Sequence, residues 1–298
     1  RLSKLAPDES ELIMMTGLAL LATLVLGSAS VQEGQPAVPA SCQQPMDRID
    51  FRACANDAPV GSAARSWALI NLGTRAFLTG DMAAAVSFYD EARPTDGNQI
   101  YSDPLFHAFR GASYDHVGRT EEGLSDARTS WEILSGARVV DPNYPPPTND
   151  EYRSLVLMVI LPILKAANDP ALEPGFAAYK SIPANDTDAL MKRASLLEKV
   201  GDFAGALAAS EQVLKQLPDD PAVQNNHCYT LVRAGRASEG LPYCEKAVAS
   251  LPEIAPIRHS YAAALAQLGR CDEAERQMAE ARRLDPAGTL YRQALTCG

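Results

Sequence analysis

The C-terminal third of the chain repeats itself at a fixed interval. A step of 34 residues carries Gly201 to Gly235 and then to Gly269, and a polar residue follows each of these glycines. Four more positions recur with the same step. They are the prolines Pro218, Pro252 and Pro286, the leucines Leu197, Leu231 and Leu265, and two columns of small residues, Ala194, Cys228 and Ala262, and Ala206, Gly240 and Ala274. A period of this size indicates an array of helical hairpins that fold by stacking on one another.

Each column has a physical role in such a hairpin. The glycine ends the first helix, because the left-handed conformation needed there costs a residue with a Cβ atom about 1 kcal/mol. The proline ends the second helix, since it cannot continue one. Small residues let the two helices cross closely, and leucines fill the layer between hairpins. The pattern therefore predicts an all-α fold.

These columns resemble the tetratricopeptide repeat (TPR) family. The resemblance implies a right-handed superhelix of stacked hairpins, with repeats at about 187–220, 221–254 and 255–288 and the start of a capping helix at 289–297. The sequence departs from the family at two positions. The aromatic residue usual early in the second helix is kept at Phe203 but replaced by Ala237 and Cys271. The aromatic residue usual late in the second helix is replaced by Ser210, Cys244 and Met278.

Weaker copies of the pattern precede the regular array. Residues 67–94 and 105–127 each contain a turn of the same kind, at Gly80-Asp81 and at Gly118-Arg119. The stretch between the two arrays predicts a degenerate hairpin, with a helix that Asn149 or Asp150 caps and a shorter helix at about 173–181. Its apolar run, Leu155–Leu164, is too short to span a bilayer and is interpreted as core.

The chain is thus expected to contain five regions. In order, they are an N-terminal segment with a transmembrane anchor or signal peptide (1–32), an extracytoplasmic linker (33–62), two divergent TPR repeats (63–142), the degenerate hairpin (143–186), and three TPR repeats with a C-terminal capping helix (187–298).

Residues 12–32 carry no charge, and a run of this length is sufficient for one membrane crossing. The same run fits a signal peptide with a cleavage site among the small residues 27–30. We favour an uncleaved anchor, because the preceding residues are not strongly basic and the run is long for a signal. Arg1 and Lys4 precede it and the next basic residue is Arg48, so the positive-inside rule places the N-terminus in the cytoplasm. The expectation is a single-pass protein of a bacterial inner membrane, with its TPR domain in the periplasm.

The cysteines bear on this placement, because an even number, six, suits an oxidising compartment. In the TPR-like arrangement, Cys228 and Cys244 face each other within one hairpin. Cys271 begins the second helix of the last repeat, near Cys297 on the expected capping helix, and the two N-terminal cysteines remain. The implied pairs are Cys42–Cys54, Cys228–Cys244 and Cys271–Cys297. The alternative is that Cys228 and Cys244 are small buried residues with free thiols.

Composition and motifs argue against several classes of function. The net charge of −10 and the pI near 5.0 disfavour a nucleic-acid-binding surface. The sequence contains no phosphate-binding loop, no nucleophile elbow and no paired histidines at metal-ligand spacing. The acidic pairs Glu121-Glu122 and Asp219-Asp220 lie at expected helix starts, where they complement the helix dipole. We expect no enzyme activity, no cofactor and no metal.

Stacked hairpins offer a concave surface lined by the first helix of each unit. TPR geometry implies that this surface includes Met191, Lys192, Ser195 and Lys199, then Asn225, Asn226, Tyr229 and Arg233, and then His259. Some TPR proteins hold a peptide carboxylate with a Lys/Asn clamp, of which this set is an incomplete version, so we expect recognition of a neutral or mixed peptide. Each residue taken alone also fits an ordinary solvated surface. Tyr229 and Arg233 together favour binding, because aromatic residues and arginine dominate interface energies.

The predicted function is a non-catalytic scaffold that docks onto or assembles a larger envelope complex through its groove and its anchor helix. The expected partners are proteins, as subunits of a membrane complex, and Gly17 and Ala22 offer the anchor a small-residue face for a neighbouring helix. Two alternatives remain open. One is a substrate-holding accessory subunit of an envelope enzyme, and the other is a soluble periplasmic peptide-binding protein released by signal cleavage.

The predicted disulfide pairing is tested by mass spectrometry of the unreduced protein. We expect no cysteine to react with an alkylating reagent under denaturing conditions until a reductant is added, and we expect peptide mapping to recover the three implied pairs. Six reactive thiols would contradict both the pairing and the oxidising compartment.

Overall fold

The computed structural model describes residues 38–45, 48–92, 99–142 and 145–297. Within these ranges the regular structure is entirely helical. The N-terminal helices are α1 (Phe51–Asp57), α2 (Ala63–Leu78), α3 (Met82–Glu91), α4 (Pro104–His116), α5 (Thr120–Leu134), α6 (Asp150–Ala166) and α7 (Leu172–Ser181). The C-terminal helices are α8 (Thr187–Lys199), α9 (Phe203–Gln216), α10 (Pro221–Arg233), α11 (Ala237–Ser250), α12 (Ala255–Gln267) and α13 (Cys271–Leu284). Short 3₁₀ turns occur at Ala40–Cys42, Gln99–Ser102 and Leu290–Arg292.

The described residues form two compact units, one ending at Pro183 and the other beginning at Ala184. In the N-terminal unit α2 pairs with α3, α4 with α5, and α6 with α7, and each pair packs against the next. In the C-terminal unit the pairs are α8 with α9, α10 with α11, and α12 with α13, and they likewise pack in sequence order. Each of these pairs is an antiparallel hairpin of the kind that the repeat pattern predicts.

The turns inside the hairpins follow the predicted chemistry. Gly80, Gly118, Gly201, Gly235 and Gly269 all have positive φ angles, between 72° and 85°. Where aspartate follows the glycine, its carboxylate caps the next helix: Asp81 accepts a hydrogen bond from the amide of Ala84, and Asp202 from that of Gly205. One dipeptide therefore ends the first helix and begins the second.

The crossing of the two helices depends on the small-residue columns. Ala206, Ala262 and Ala274 are buried where the paired helices meet. A Cβ atom on Gly240 would lie 3.0 Å from the carbonyl oxygen of Cys228. Leu197, Leu231 and Leu265 are buried as well.

The stretch predicted to be a degenerate hairpin contains two helices, α6 and α7, and α6 has a buried apolar face. Asn149 caps α6 by accepting a hydrogen bond from the amide of Tyr152 at 2.8 Å. The apolar run packs into the core, with Leu155, Val156, Leu157, Ile160, Leu161, Ile163 and Leu164 buried. Among the described residues, no helix is long and apolar enough to cross a bilayer. The predicted anchor at 12–32 lies outside the described residues.

The structure contains the three disulfides that the TPR resemblance implies: Cys42–Cys54, Cys228–Cys244 and Cys271–Cys297. Their Cα atoms are 4.8 to 5.7 Å apart, an ordinary separation for a disulfide. Cys228 and Cys244 are completely buried and join α10 to α11 within one hairpin.

Two expectations at the ends of the described chain are wrong in part. The capping helix expected at 289–297 is only a 3₁₀ turn at Leu290–Arg292 followed by irregular chain. Tyr291 inserts into the core of the last hairpin and Cys297 is bonded to Cys271, so the backbone is held by these anchors and does not continue as a helix. The range 33–62, expected to be a linker, contains α1, because Asp50 caps it and Phe51 is buried beneath it.

The backbone role of the turn glycines is tested by replacing Gly235. A Cβ atom at this position meets nothing within 4 Å, so the cost of Gly235→Ala arises from the positive φ angle alone. We expect the free energy of unfolding to fall by about 1 kcal/mol, measured by urea titration with far-UV circular dichroism. Gly235→Asn is the matched control and should lose less, because asparagine tolerates this conformation better. An unchanged urea midpoint for Gly235→Ala would contradict the assignment.

Candidate protein-interaction surface

The candidate surface lies on the first helices of the three C-terminal hairpins, α8, α10 and α12. The 34-residue step relates Met191, Asn225 and His259, so these three residues occupy the same position in successive repeats. We call the full predicted set the groove face: Met191, Lys192, Ser195, Lys199, Asn225, Asn226, Tyr229, Arg233 and His259. All of these side chains belong to the C-terminal unit.

The part of the groove face on α8 is mixed in character. Met191 is half-buried and packs against a core cluster that includes Leu190 and Val223. The ammonium group of Lys192 lies 2.7 Å from the carboxylate of Asp188, one turn earlier on the same helix. Ser195 is half-buried and Lys199 is exposed. Lys192 is thus directed along its own helix by an ion pair, and the structure does not assemble it into a clamp with the asparagines of α10.

Arg233 links α10 to α8. Its guanidinium contacts the carboxylate of Glu198 at 3.3 Å. The same guanidinium lies 5.9 Å from the ring centroid of Tyr229, within range of a cation–π contact. Because the ion pair is partly exposed, it contributes little to stability, and Arg233 stays available to a ligand.

A row of rings crosses the groove face from α10 to the C-terminal tail. The centroids of Tyr229 and His259 are 5.9 Å apart, and those of His259 and Tyr291 are 5.8 Å apart. Burial lowers the pKa of His259, so its imidazole is neutral at pH 7. It makes no hydrogen bond to any residue that the structure describes. A neutral imidazole offers one donor and one acceptor, and here both are unused.

Asn225 carries the least satisfied polar atom of the surface. Asn225 is only 9% exposed, and its side-chain amide nitrogen donates a hydrogen bond to the side-chain oxygen of Asn226 at 3.3 Å. The carbonyl oxygen of Asn225 has no hydrogen-bond partner within the described chain. An unsatisfied buried acceptor costs about 1–3 kcal/mol, so Asn225 does not gain stability from this oxygen and is a candidate for a role in binding.

The structure brings part of the predicted set together. Tyr229, Arg233 and His259 form one contiguous group, and Asn225 is bonded to Asn226. Tyr291 joins this group and was not predicted, because the tail was expected to form a helix with no part in the surface. The signal available in the sequence was an aromatic residue close behind the last hairpin.

The charged cluster of the N-terminal unit has a structural role. Arg110 makes two hydrogen bonds to the carboxylate of Asp126, and the imidazole of His107 contacts the same group at 3.0 Å. Burial raises the pKa of Asp126, but the hydrogen bonds from Arg110 and His107 outweigh it and the net shift is downward. These contacts join α4 to α5 and leave the carboxylate fully paired. No group of side chains among the described residues has the composition of a metal site.

The fold described above is that of tetratricopeptide repeat proteins. The crystal structure of a TPR protein from Parabacteroides merdae ATCC 43184 matches it with a TM-score of 0.55, covering 81% of this chain and 87% of that chain at 14% identity. A chain of the Cut9–Hcn1 hetero-tetramer of the APC/C gives a TM-score of 0.48, covering 81% of this chain and 44% of that chain at 9% identity.

A sequence relative also contains TPR repeats. The chain is 27% identical over 94 residues to the TPR repeat-containing thioredoxin TTL4 of Arabidopsis thaliana. This match covers 32% of the present chain and 14% of the plant protein. No protein-family model matches the chain.

The unsatisfied acceptor of Asn225 generates a stability test. Asn225→Leu removes a buried polar group that has no partner for its oxygen, so we expect the free energy of unfolding to stay the same or rise. The neighbouring Gln224 is equally buried but donates to the carbonyl of Pro218 at 2.8 Å. Gln224→Met is therefore the control and should lose about 1 kcal/mol in a urea titration. A loss for Asn225→Leu as large as that for Gln224→Met would show that Asn225 serves stability.

Proposed function

We propose that this protein is a non-catalytic interaction scaffold, which binds a polypeptide segment of a partner along the groove face of its C-terminal repeats. The observation that carries the proposal is the placement of unused hydrogen-bonding groups at one position of two successive repeats, Asn225 and His259. Both residues are more than nine-tenths buried. The ring of His259 lies 5.9 Å from that of Tyr229. A bound main chain supplies hydrogen-bond partners to the imidazole of His259, and it reaches the covered oxygen of Asn225 once that side chain turns outward.

The character of the surface supports a neutral or mixed ligand. Arg233 and Lys192 are each paired with an acidic residue, which offsets two of the three positive charges of the groove face. Tyr229 and Arg233 are residue types that contribute most of the energy at protein interfaces. An extended segment with alternating polar and apolar side chains satisfies both features.

The cellular setting is also a proposal. We propose that residues 12–32 anchor the chain in a bacterial inner membrane and that the repeats lie in the periplasm, where the protein helps to assemble a larger envelope complex. The uncharged run of residues 12–32 supports the anchor. Three disulfides support an oxidising compartment, because such bonds are rare in the cytosol.

The proposal is tested by capture of a partner with the full-length protein in mild detergent. The wild type should retain a stoichiometric membrane partner, which is identified and then titrated against the variants. The double variant Tyr229→Ala/Arg233→Ala should weaken binding of that partner at least about tenfold, because it removes two residues of the hot-spot type.

The control removes the same residue types from second helices of the same unit. Tyr243 lies on α11 and Arg276 on α13, and neither residue belongs to the groove face. Tyr243→Ala/Arg276→Ala should bind the partner like the wild type, provided that both double variants keep the wild-type circular dichroism spectrum. Equal capture by the Tyr229→Ala/Arg233→Ala variant, or recovery of a lone monomer from the wild type, would refute the proposed function.

A further inference from the structure

A cavity of about 320 Å³ opens on the N-terminal unit, apart from the groove face. It lies where the second half of α5 faces the turn between α6 and α7. Its walls are formed by Arg128, Trp131, Glu132, Asp169, Pro170 and Ala171. The volume is at the lower end of the range for small-ligand sites, and the cavity is open to solvent.

The guanidinium of Arg128 is fixed in this cavity by one buried carboxylate. Its Nε atom donates to Asp169 at 2.6 Å, and the side chain of Asp169 is only 3% exposed. The second oxygen of Asp169 accepts a hydrogen bond from the amide of Ala171 at 2.9 Å, which fixes the carboxylate in turn. The two terminal nitrogens of Arg128 make no hydrogen bond to any described residue, and half of the side chain is exposed. Arg128 is therefore held in place by Asp169, and its two terminal nitrogens are hydrogen-bond donors that face the cavity.

Trp131 supplies the apolar part of the cavity wall. Its indole is half-buried, and Gly175 of α7 lies so close that a Cβ atom there would be 3.7 Å from the ring. Pro170 and Ala171 extend this apolar wall. Glu132 is the remaining charged group, and Arg138 lies 3.7 Å from its carboxylate. Arg128 and Arg138 therefore balance the charges of Asp169 and Glu132. The terminal nitrogens of Arg128 remain as hydrogen-bond donors that point outward.

We infer that this cavity binds a carboxylate attached to an apolar group, such as the C-terminal residue of a polypeptide. A carboxylate accepts two parallel hydrogen bonds from a guanidinium, and the planar fork of arginine matches this geometry. The apolar group lies against Trp131. A phosphate fits less well, because Asp169 and Glu132 flank the single arginine and oppose a second negative charge. This site is independent of the groove face and does not rest on the proposed function.

The inference is tested by the fluorescence of Trp131. The sequence contains two tryptophans, Trp67 and Trp131. Trp67→Phe leaves Trp131 as the only indole and keeps an aromatic ring against Phe51, which lies 5.1 Å from Trp67. This background is titrated with N-acetyl-leucine, N-acetyl-phenylalanine and a heptapeptide ending in leucine, each as the free acid and as the amide. We expect a saturable change with the acids and affinity at least about tenfold lower for the amides, because a charge-assisted pair is lost.

Two substitutions assign the effect to Arg128. In the Trp67→Phe background, Arg128→Met should reduce affinity for the acids to that for the amides. Arg128→Lys keeps the charge beside buried Asp169, and so keeps the turn folded, and should give an intermediate loss. Arg153→Met is the matched control, since the one ion pair of Arg153 within the described ranges is with Asp150 on the surface of α6. This variant should bind like the parent.

Each outcome decides the inference. Equal affinity for acid and amide, equal binding by Arg128→Met and Arg153→Met, or no saturable change with any acid up to about 10 mM would overturn it. Tighter binding of the heptapeptide acid than of the acetylated residues identifies a polypeptide terminus as the ligand. Equal binding of the two identifies a small apolar acid.

Discussion

The close crossing of the two helices in each hairpin is the constraint on which the rest of the structure depends. At these crossings there is room for alanine, glycine or cysteine and little else, as the 3.0 Å distance from a Cβ on Gly240 to the carbonyl of Cys228 illustrates. Close crossing buries the leucine layer, and buried leucines hold one hairpin on the next. The first helices are then aligned, which brings residues 34 positions apart into one surface. The groove face is therefore a consequence of packing on its other side.

Much of the fold could be predicted from the sequence because the informative residues act locally. A glycine with positive φ, an aspartate that caps the next helix and a proline that ends it are each recognisable within a few positions. The disulfide Cys228–Cys244 could be expected as well, since the TPR resemblance places these two residues on facing sides of the two helices of one hairpin. The position usually occupied by an aromatic residue shows the limit of such reasoning. There Ser210 binds His227, Cys244 forms a disulfide and Met278 fills the core, and only the three-dimensional neighbours distinguish these solutions.

The residues of the candidate site could be predicted from the sequence, but the contacts that they make could not. Repeat register selected Asn225, Tyr229, Arg233 and His259, and the structure shows that three of them touch. Register could not show that Arg233 pairs with Glu198 of the preceding repeat, or that the oxygen of Asn225 is left without a partner. Both facts depend on how neighbouring helices are rotated and shifted relative to one another. Tyr291 was missed for a related reason, because the course of an irregular tail is set by what it packs against.

The irregular tail has a consequence for how the protein behaves at high concentration. In a stack of similar hairpins, the outer side of the last described hairpin is apolar. If exposed, it could pack against a hairpin of another copy. Tyr291 and Leu295 cover that side, and the bond from Cys297 to Cys271 keeps them there. The tail therefore keeps the apolar side of this hairpin covered, and reduction of the disulfide would remove the covalent bond that holds the tail in place.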